Sequence, residues 1–272
     1  MAYSVPSVLT VAGSDSSGGA GVQADIKTIE SMGLYAQSVI TALTAQNTLG
    51  VYGVSDVASD FVSAQIDAVF ADIRPRAVKV GMVSSPEIVA AIARGLAEHG
   101  ADCVVLDPVM VSTSGSRLIA EKAQEALVRE LFPIATVITP NIPEAEVLCG
   151  IPVETRQDME SAARMLAEMT SGAVLVKGGH GATDADDLLY LDGSCHWLRG
   201  ERVETENTHG TGCTLSSAIA CGLASGEGIV EAVSQAKRYV TGALRADFAL
   251  GKGCGPLDHM WALRGAFDAP NV

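Results

Sequence analysis

Short apolar runs that do not alternate with polar residues, set between amphipathic stretches, constrain this chain most. Residues 7–12, 38–45, 77–80, 103–106, 136–138 and 173–176 read as strands. Residues 21–32, 59–70, 86–98, 121–131 and 155–169 read as helices between them, with Phe61, Ile66 and Val69 among the apolar positions of the second. A strand that is apolar along its whole length is covered on both faces, and the intervening helices supply the cover. The pattern predicts an α/β protein with a mostly parallel sheet.

Local signals sharpen several boundaries. Ser85 before Pro86 is a helix start, and Thr155 with Asp158 has the spacing of a capping box. Residues 51–57 alternate and read as an exposed β segment, and residues 188–191 and 201–206 also read as β. Ile229, Val233, Ala236, Val240 and Leu244 mark a long amphipathic helix. Without repeat, linker or low-complexity segment, residues 1–272 are expected to form a single domain.

Parallel sheets bind ligands beyond the carboxyl ends of their strands. Here those ends carry Gly13, Ser14 and Asp15, then Gly81 and Met82, Asp107 and Pro108, Asn141, and Lys177 and Gly178. They are expected to surround one site. Residues 207–215 (Asn-Thr-His-Gly-Thr-Gly-Cys-Thr-Leu) read as a glycine loop entering a buried helix. Free amides at such a start favour an anion, with Thr211, Thr214, Ser216 and Ser217 available to cap or line the turn. Cys213 lies in that turn, where the local field is expected to favour its thiolate. Phosphoryl transfer fits these features; a plain glycine turn before a core helix also accounts for them.

With 18 Lys and Arg against 32 Asp and Glu, the net charge is −14 and no basic tract exists. Nucleic acid is therefore not an expected partner. A phosphate ligand would need local devices: helix N-termini, a few lysines and a divalent metal. The six cysteines form no Cys-x-x-Cys pair, as in a reducing compartment, so a cytoplasmic location is expected. No membrane span and no signal peptide are expected. His209 and Cys213 lack a second ligand pair for zinc.

Gly19-Ala-Gly21-Val-Gln-Ala24 matches a loose dinucleotide fingerprint, but the acidic residue about twenty positions on is missing. No Walker A motif occurs. Asp107, at a strand end before proline, suits hydrated magnesium and equally suits an Asx turn. Glu144 adds a second carboxylate near the next strand end, or is a solvated first-turn residue. Gln46 offers an amide donor and acceptor to an aminopyrimidine edge, and Asp25 could bond a hydroxyl or ring N–H; ordinary capping or surface roles remain open for both.

In order, these segments resemble the hydroxymethylpyrimidine/phosphomethylpyrimidine kinases of thiamine biosynthesis, within the ribokinase-like superfamily. The resemblance runs through Ala12-Gly-Ser-Asp-Ser-Ser-Gly-Gly-Ala-Gly-Val-Gln-Ala-Asp25 and Ser38-Val-Ile-Thr-Ala-Leu-Thr-Ala-Gln-Asn47. It continues in Lys79-Val-Gly-Met82, Asp107-Pro-Val-Met110, Thr139-Pro-Asn-Ile-Pro-Glu144, Lys177-Gly-Gly-His180, Asn207-Thr-His-Gly-Thr-Gly-Cys213 and Gly253-Cys-Gly-Pro256.

It implies a ribokinase-like three-layer α/β/α fold with a small β flap, and use of ATP and Mg2+. It implies phosphorylation of the pyrimidine's hydroxymethyl group and then of the monophosphate. Gly13, Asp25, Gln46, Met82 and Val109 should contact the pyrimidine. Asn141, Lys177, Gly178, Gly179, His180, Gly181 and Asp187 should face the nucleotide. Asp107 and Glu144 should organise magnesium. The amides of Gly210, Thr211, Gly212 and Cys213 should form the anion hole, with Cys213 as base. Relatives often carry lysine near Thr113, so a cationic contact is not expected there. Residues 113–116 and 51–57 are candidate closing loops. A homodimer is the expected assembly. A pyridoxal kinase of the same superfamily and a non-catalytic pyrimidine-binding protein are the rival readings; the Gln46 position favours the pyrimidine.

Overall fold

The computed structural model describes residues 4–110, 121–179 and 185–266. In chain order the elements are β1 (Ser7–Asp15), α1 (Gly21–Ser31), β2 (Tyr35–Asn47), β3 (Gly50–Asp56), α2 (Ser59–Asp72), β4 (Ala77–Val80), α3 (Pro86–Glu98) and β5 (Val104–Leu106). There follow α4 (Glu121–Glu130), β6 (Val137–Ile138), α5 (Ile142–Cys149), α6 (Arg156–Ala167), β7 (Ala173–Val176), β8 (Asp187–Leu191), β9 (Ser194–Leu198), α7 (Thr211–Ala224) and α8 (Ile229–Arg245).

The strands form one sheet in the order β3-β2-β1-β4-β5-β6-β7-β8-β9. The run from β2 to β7 is parallel; β3, β8 and β9 join antiparallel to their neighbours. The order reverses direction at β1, so the carboxyl ends of β1 and β4 mark a topological switch point, where such sheets open a crevice.

Alternate residues along each strand feed two cores. Leu9, Val11, Val78, Val80, Val104 and Leu106 pack with α2 through α6. Val8, Ala77 and Val105 face α1, α7 and α8. The result is the three-layer α/β/α arrangement. Because α7 is covered by α1, α8 and the centre of the sheet, its residues are small and apolar nearly all round.

Ser85 accepts from Ile88 N as the cap of α3, and Thr155 and Asp158 form the capping box of α6. One expectation needs correction, and two details are added to the pattern. Residues 201–206 form no strand; β9 at Ser194–Leu198 occupies the sheet edge instead, where β8 turns back through Asp192 and Gly193 in the left-handed region. The short helix α5 follows β6, begun by Asn141 and Pro143 and ended by left-handed Gly150. Phe61 lies on the exposed face of α2.

The outer half of β2 leaves β1 and pairs with β3 as a β flap. Its register slips between Ala45 and Gln46, with Tyr52 the extra residue on β3, and such a slip re-aims the side chains around it.

Candidate active site

Three strand ends and one helix start meet at the carboxyl edge of the sheet. Asp107 follows β5 and is buried. Lys177 follows β7 and places Nζ 2.8 Å from Asp107 Oδ1, while Thr139 Oγ1, beyond β6, donates to the same oxygen at 3.2 Å. Opposite stands the first turn of α7. A Cβ added at Gly212 would lie 3.2 Å from Asp107 Oδ2 and 3.4 Å from Lys177 Nζ, so the bare glycine brings the amides of that turn against the ion pair.

Gly210 begins the helix with φ +84°, packed on the carbonyl of Gly19; a side chain there would collide with it. The hydroxyls near this turn face elsewhere than expected. Thr211 donates back to Thr208 O, Thr214 meets His259, Ser216 donates to the carbonyls of Gly212 and Cys213, and Ser217 reaches Asp25. No side chain caps α7.

The expectation of a thiolate at Cys213 is corrected by its surroundings. Burial pushes the thiol up to about 11; the Lys79 charge opposes this, and Asp25 and Asp107 add to it. At neutral pH Cys213 is a thiol. Loss of water outweighs the field at the helix start.

Glu144 is buried and forms a reciprocal capping box with Asn141: Asn141 N donates to Glu144 Oε2 and Glu144 N to Asn141 Oδ1, each at 2.8 Å. It is not the solvated residue of one sequence reading. Burial raises its pKa to about 7, with Lys177 opposing and Asp107 reinforcing the shift. Two carboxylates and one ammonium thus share this end of the site.

The switch point holds the other end. Gly13 lies against Met82: a Cβ there would be 3.3 Å from Met82 Sδ. Gln46, on the flap, has its amide between Thr44 Oγ1 at 3.1 Å and His209 Nε2 at 3.4 Å. Val109 follows Asp107 and is half-buried.

Two residues expected at a ligand are engaged within the protein. Asp25 is fully buried, and its carboxylate accepts from Thr10 Oγ1, Ser217 Oγ and Lys79 Nζ. It faces Lys79 beneath the site and leaves no oxygen to a ligand. Asp187 accepts from Gly178 N at 2.8 Å and from Lys237 at 2.5 Å, so it anchors the loop after β7. His180, Gly181 and residues 113–116 lie outside the described residues; Gly179 is exposed.

The chain's own loops also answer the dinucleotide fingerprint. The amides of Gly19 and Ala20 both donate to Asp15 Oδ2, so the turn they form is taken up internally. The roles of Asp15 and Lys79 escaped the sequence reading. Lys79 alone had a visible signal, as a lysine inside the apolar run Ala-Val-Lys-Val.

The phosphomethylpyrimidine kinase family model matches residues 15–258. A hydroxymethylpyrimidine/phosphomethylpyrimidine kinase of Streptomyces coelicolor is 50% identical over 258 residues, covering 95% of this chain and 96% of that protein. Among solved structures, a phosphomethylpyrimidine kinase from Clostridium difficile superposes with TM-score 0.78 at 47% identity, over 87% of this chain and 98% of that one. An ADP complex of Bacillus subtilis pyridoxal kinase superposes with TM-score 0.88 at 35% identity, over 95% and 99%. Fold and sequence agree: the chain belongs to the phosphomethylpyrimidine kinase family.

Proposed function

We propose that this protein transfers the γ-phosphoryl group of ATP to the hydroxymethyl oxygen of 4-amino-5-hydroxymethyl-2-methylpyrimidine, and then a second phosphoryl group to the monophosphate, in thiamine biosynthesis. The observation that carries this reading is the Gly212 turn of α7 set against the Lys177–Asp107 pair, a place for an anion between amides and an ammonium. In each transfer the acceptor oxygen forms a bond to phosphorus as the bond to the ADP oxygen breaks. In the first transfer the hydroxymethyl proton leaves to a base or to solvent; in the second the acceptor is a phosphate oxygen that is already ionised.

The donor set fits a nucleotide and a divalent cation. Asp107 and Glu144 supply hard carboxylate oxygens and would hold magnesium, which supplies charge neutralisation of the phosphates when bound. Lys177 would turn from Asp107 toward a phosphate oxygen, and the amides of residues 210–213 would take the transferred group. Asn141 and the loop of Lys177, Gly178 and Gly179 would border the nucleotide. Gly13, Met82, Val109 and the Gln46 amide would enclose the pyrimidine. Cys213, in the same turn, would be the base through its thiolate form.

Assembly as a homodimer is supported by the flap, where Leu43, Leu49, Tyr52 and Val54 are all exposed. Among the described residues, no helix is long and apolar enough to cross a membrane. The deciding experiment is a coupled ADP-release assay with hydroxymethylpyrimidine, its monophosphate and pyridoxal side by side. Turnover of both pyrimidines with much higher kcat/KM than pyridoxal is expected. Preference for pyridoxal, or no ATP consumption with any of the three, overturns the reading.

A further inference from the structure

His209 is the residue just before the anion-binding turn, and its ring joins segments that are far apart in sequence. Nε2 lies 2.8 Å from Asp15 Oδ2 at the end of β1 and 3.4 Å from Gln46 Nε2 on the flap. Its backbone N–H donates to Gly255 O at 3.0 Å. The ring packs so closely on Gly19 that a Cβ there would collide with it. Both His209 and Asp15 are buried, at 6% and 3% exposure.

Asp15 is saturated. Besides the imidazole, its oxygens accept from Ser17 N, Ser17 Oγ, Gly19 N and Ala20 N. Burial opposes its charge, but His209 and these donors outweigh that and hold its pKa down to about 2. A carboxylate so committed has no lone pair to spare for a ligand. It fixes the imidazole by accepting from Nε2–H. Thr44 Oγ1 donates to Gln46 Oε1, so the amide nitrogen lies beside the ring; with the imidazole proton committed to Asp15, the ring holds that nitrogen in place without accepting from it and leaves its N–H groups to a bound ring.

We propose that Asp15 and His209 are a positioning pair that orients the Gln46 amide and so ties recognition of the pyrimidine to the turn that receives the phosphoryl group. This rests on the kinase reading above. His209 acts through Gln46 and through its own chain connection to Gly210.

The test is a double-mutant cycle read in kcat and KM for both substrates. His209→Ala should raise the KM for hydroxymethylpyrimidine about tenfold, the scale of one misplaced buried hydrogen bond, and change the KM for ATP less than about twofold. Gln46→Ala should do the same, and the double variant should be no worse than Gln46→Ala alone. His209→Gln, whose amide can still donate to Asp15, should recover most of the loss. If His209→Ala does not fold, His209→Asn, too short to span both partners, supplies the same cycle. Multiplicative effects of the two substitutions, an equal rise in the KM for ATP, or no recovery with glutamine overturns the coupling. Absence of pyrimidine turnover by the unaltered protein overturns the kinase reading and this inference with it; turnover with multiplicative effects removes the coupling alone.

Discussion

Lys177 Nζ and Asp107 Oδ1 lie 2.8 Å apart, closing the gap between the ends of β7 and β5 across β6. Burial opposes the Lys177 charge, but Asp107 and Glu144 outweigh it and raise the pKa, so the ammonium is kept at every working pH. In the proposed reading the pair is an internal stand-in for ligands: a phosphate would take the lysine, and a cation would take the carboxylate.

Asp107→Asn keeps the shape and removes one negative charge. The fold should survive, since the amide oxygen can still accept from Thr139 and Lys177. Initial rate at fixed ATP should need more magnesium to reach half-maximum and should partly recover when magnesium is abundant. An unchanged magnesium midpoint would move the metal away from these strand ends.

The Cys213 thiol leads to a prediction in pH. With its pKa raised by burial to about 11, the thiolate fraction grows about tenfold for each pH unit between 7 and 10. If the thiolate accepts the substrate proton, kcat should climb through that range wherever chemistry limits it. Cys213→Ala should flatten the climb and lower kcat by ~10²–10⁴-fold while leaving both KM values nearly unchanged. A flat profile in the unaltered protein, or a variant with most of its kcat, removes Cys213 from the mechanism and leaves the amides, Lys177 and the magnesium carboxylates.

The sheet was legible because its strands are short, apolar runs whose ends carry polar or glycine residues; residues 77–80 and 173–176 match the structure residue for residue. The site's outline followed from those ends. What stayed hidden depended on packing between distant segments. Asp25 reads from sequence as a free polar residue on a helix, because nothing local announces that Thr10, Lys79 and Ser217 converge on it from β1, β4 and α7. Likewise the field at a helix start is visible in sequence, whereas the burial that reverses its effect on Cys213 is a property of the assembled layers. Strand β9 was missed because Ser-Cys-His-Trp-Leu carries only a weak apolar signal, and it is held by pairing with β8.

The Lys79–Asp25 pair should reveal itself in stability. Both side chains are fully buried, with Nζ 2.9 and 2.8 Å from the two carboxylate oxygens. Lys79→Met leaves a buried carboxylate without its cation and should cost about 3–5 kcal/mol in urea unfolding. Lys79→Met with Asp25→Asn should recover most of that loss, because the neutral amide oxygen still accepts from one of Thr10 and Ser217 and the other hydroxyl can turn to accept from the amide nitrogen. A double variant as unstable as the single one would mean that Lys79 contributes packing and not charge.

Glu144 supplies the last prediction, and its sign follows from linkage. Its pKa rises from the ordinary 4.5 to about 7 because burial disfavours the carboxylate, with Asp107 adding to the effect. Between these values the folded protein binds a proton that the unfolded chain has released. Stability from this group is therefore complete below about 4.5 and is lost as pH rises through 7. Glu144→Gln cannot titrate, so unfolding followed from pH 5 to 8 without metal should show a shallower decline in the variant than in the unaltered protein. The substituted glutamine keeps an acceptor for Asn141 N, which limits damage to the start of α5. Magnesium with a nucleotide should narrow the difference in slope, since a cation beside Glu144 favours its charged form. Parallel stability curves for the two proteins would show that water reaches Glu144 and that its carboxylate stays charged in the open site.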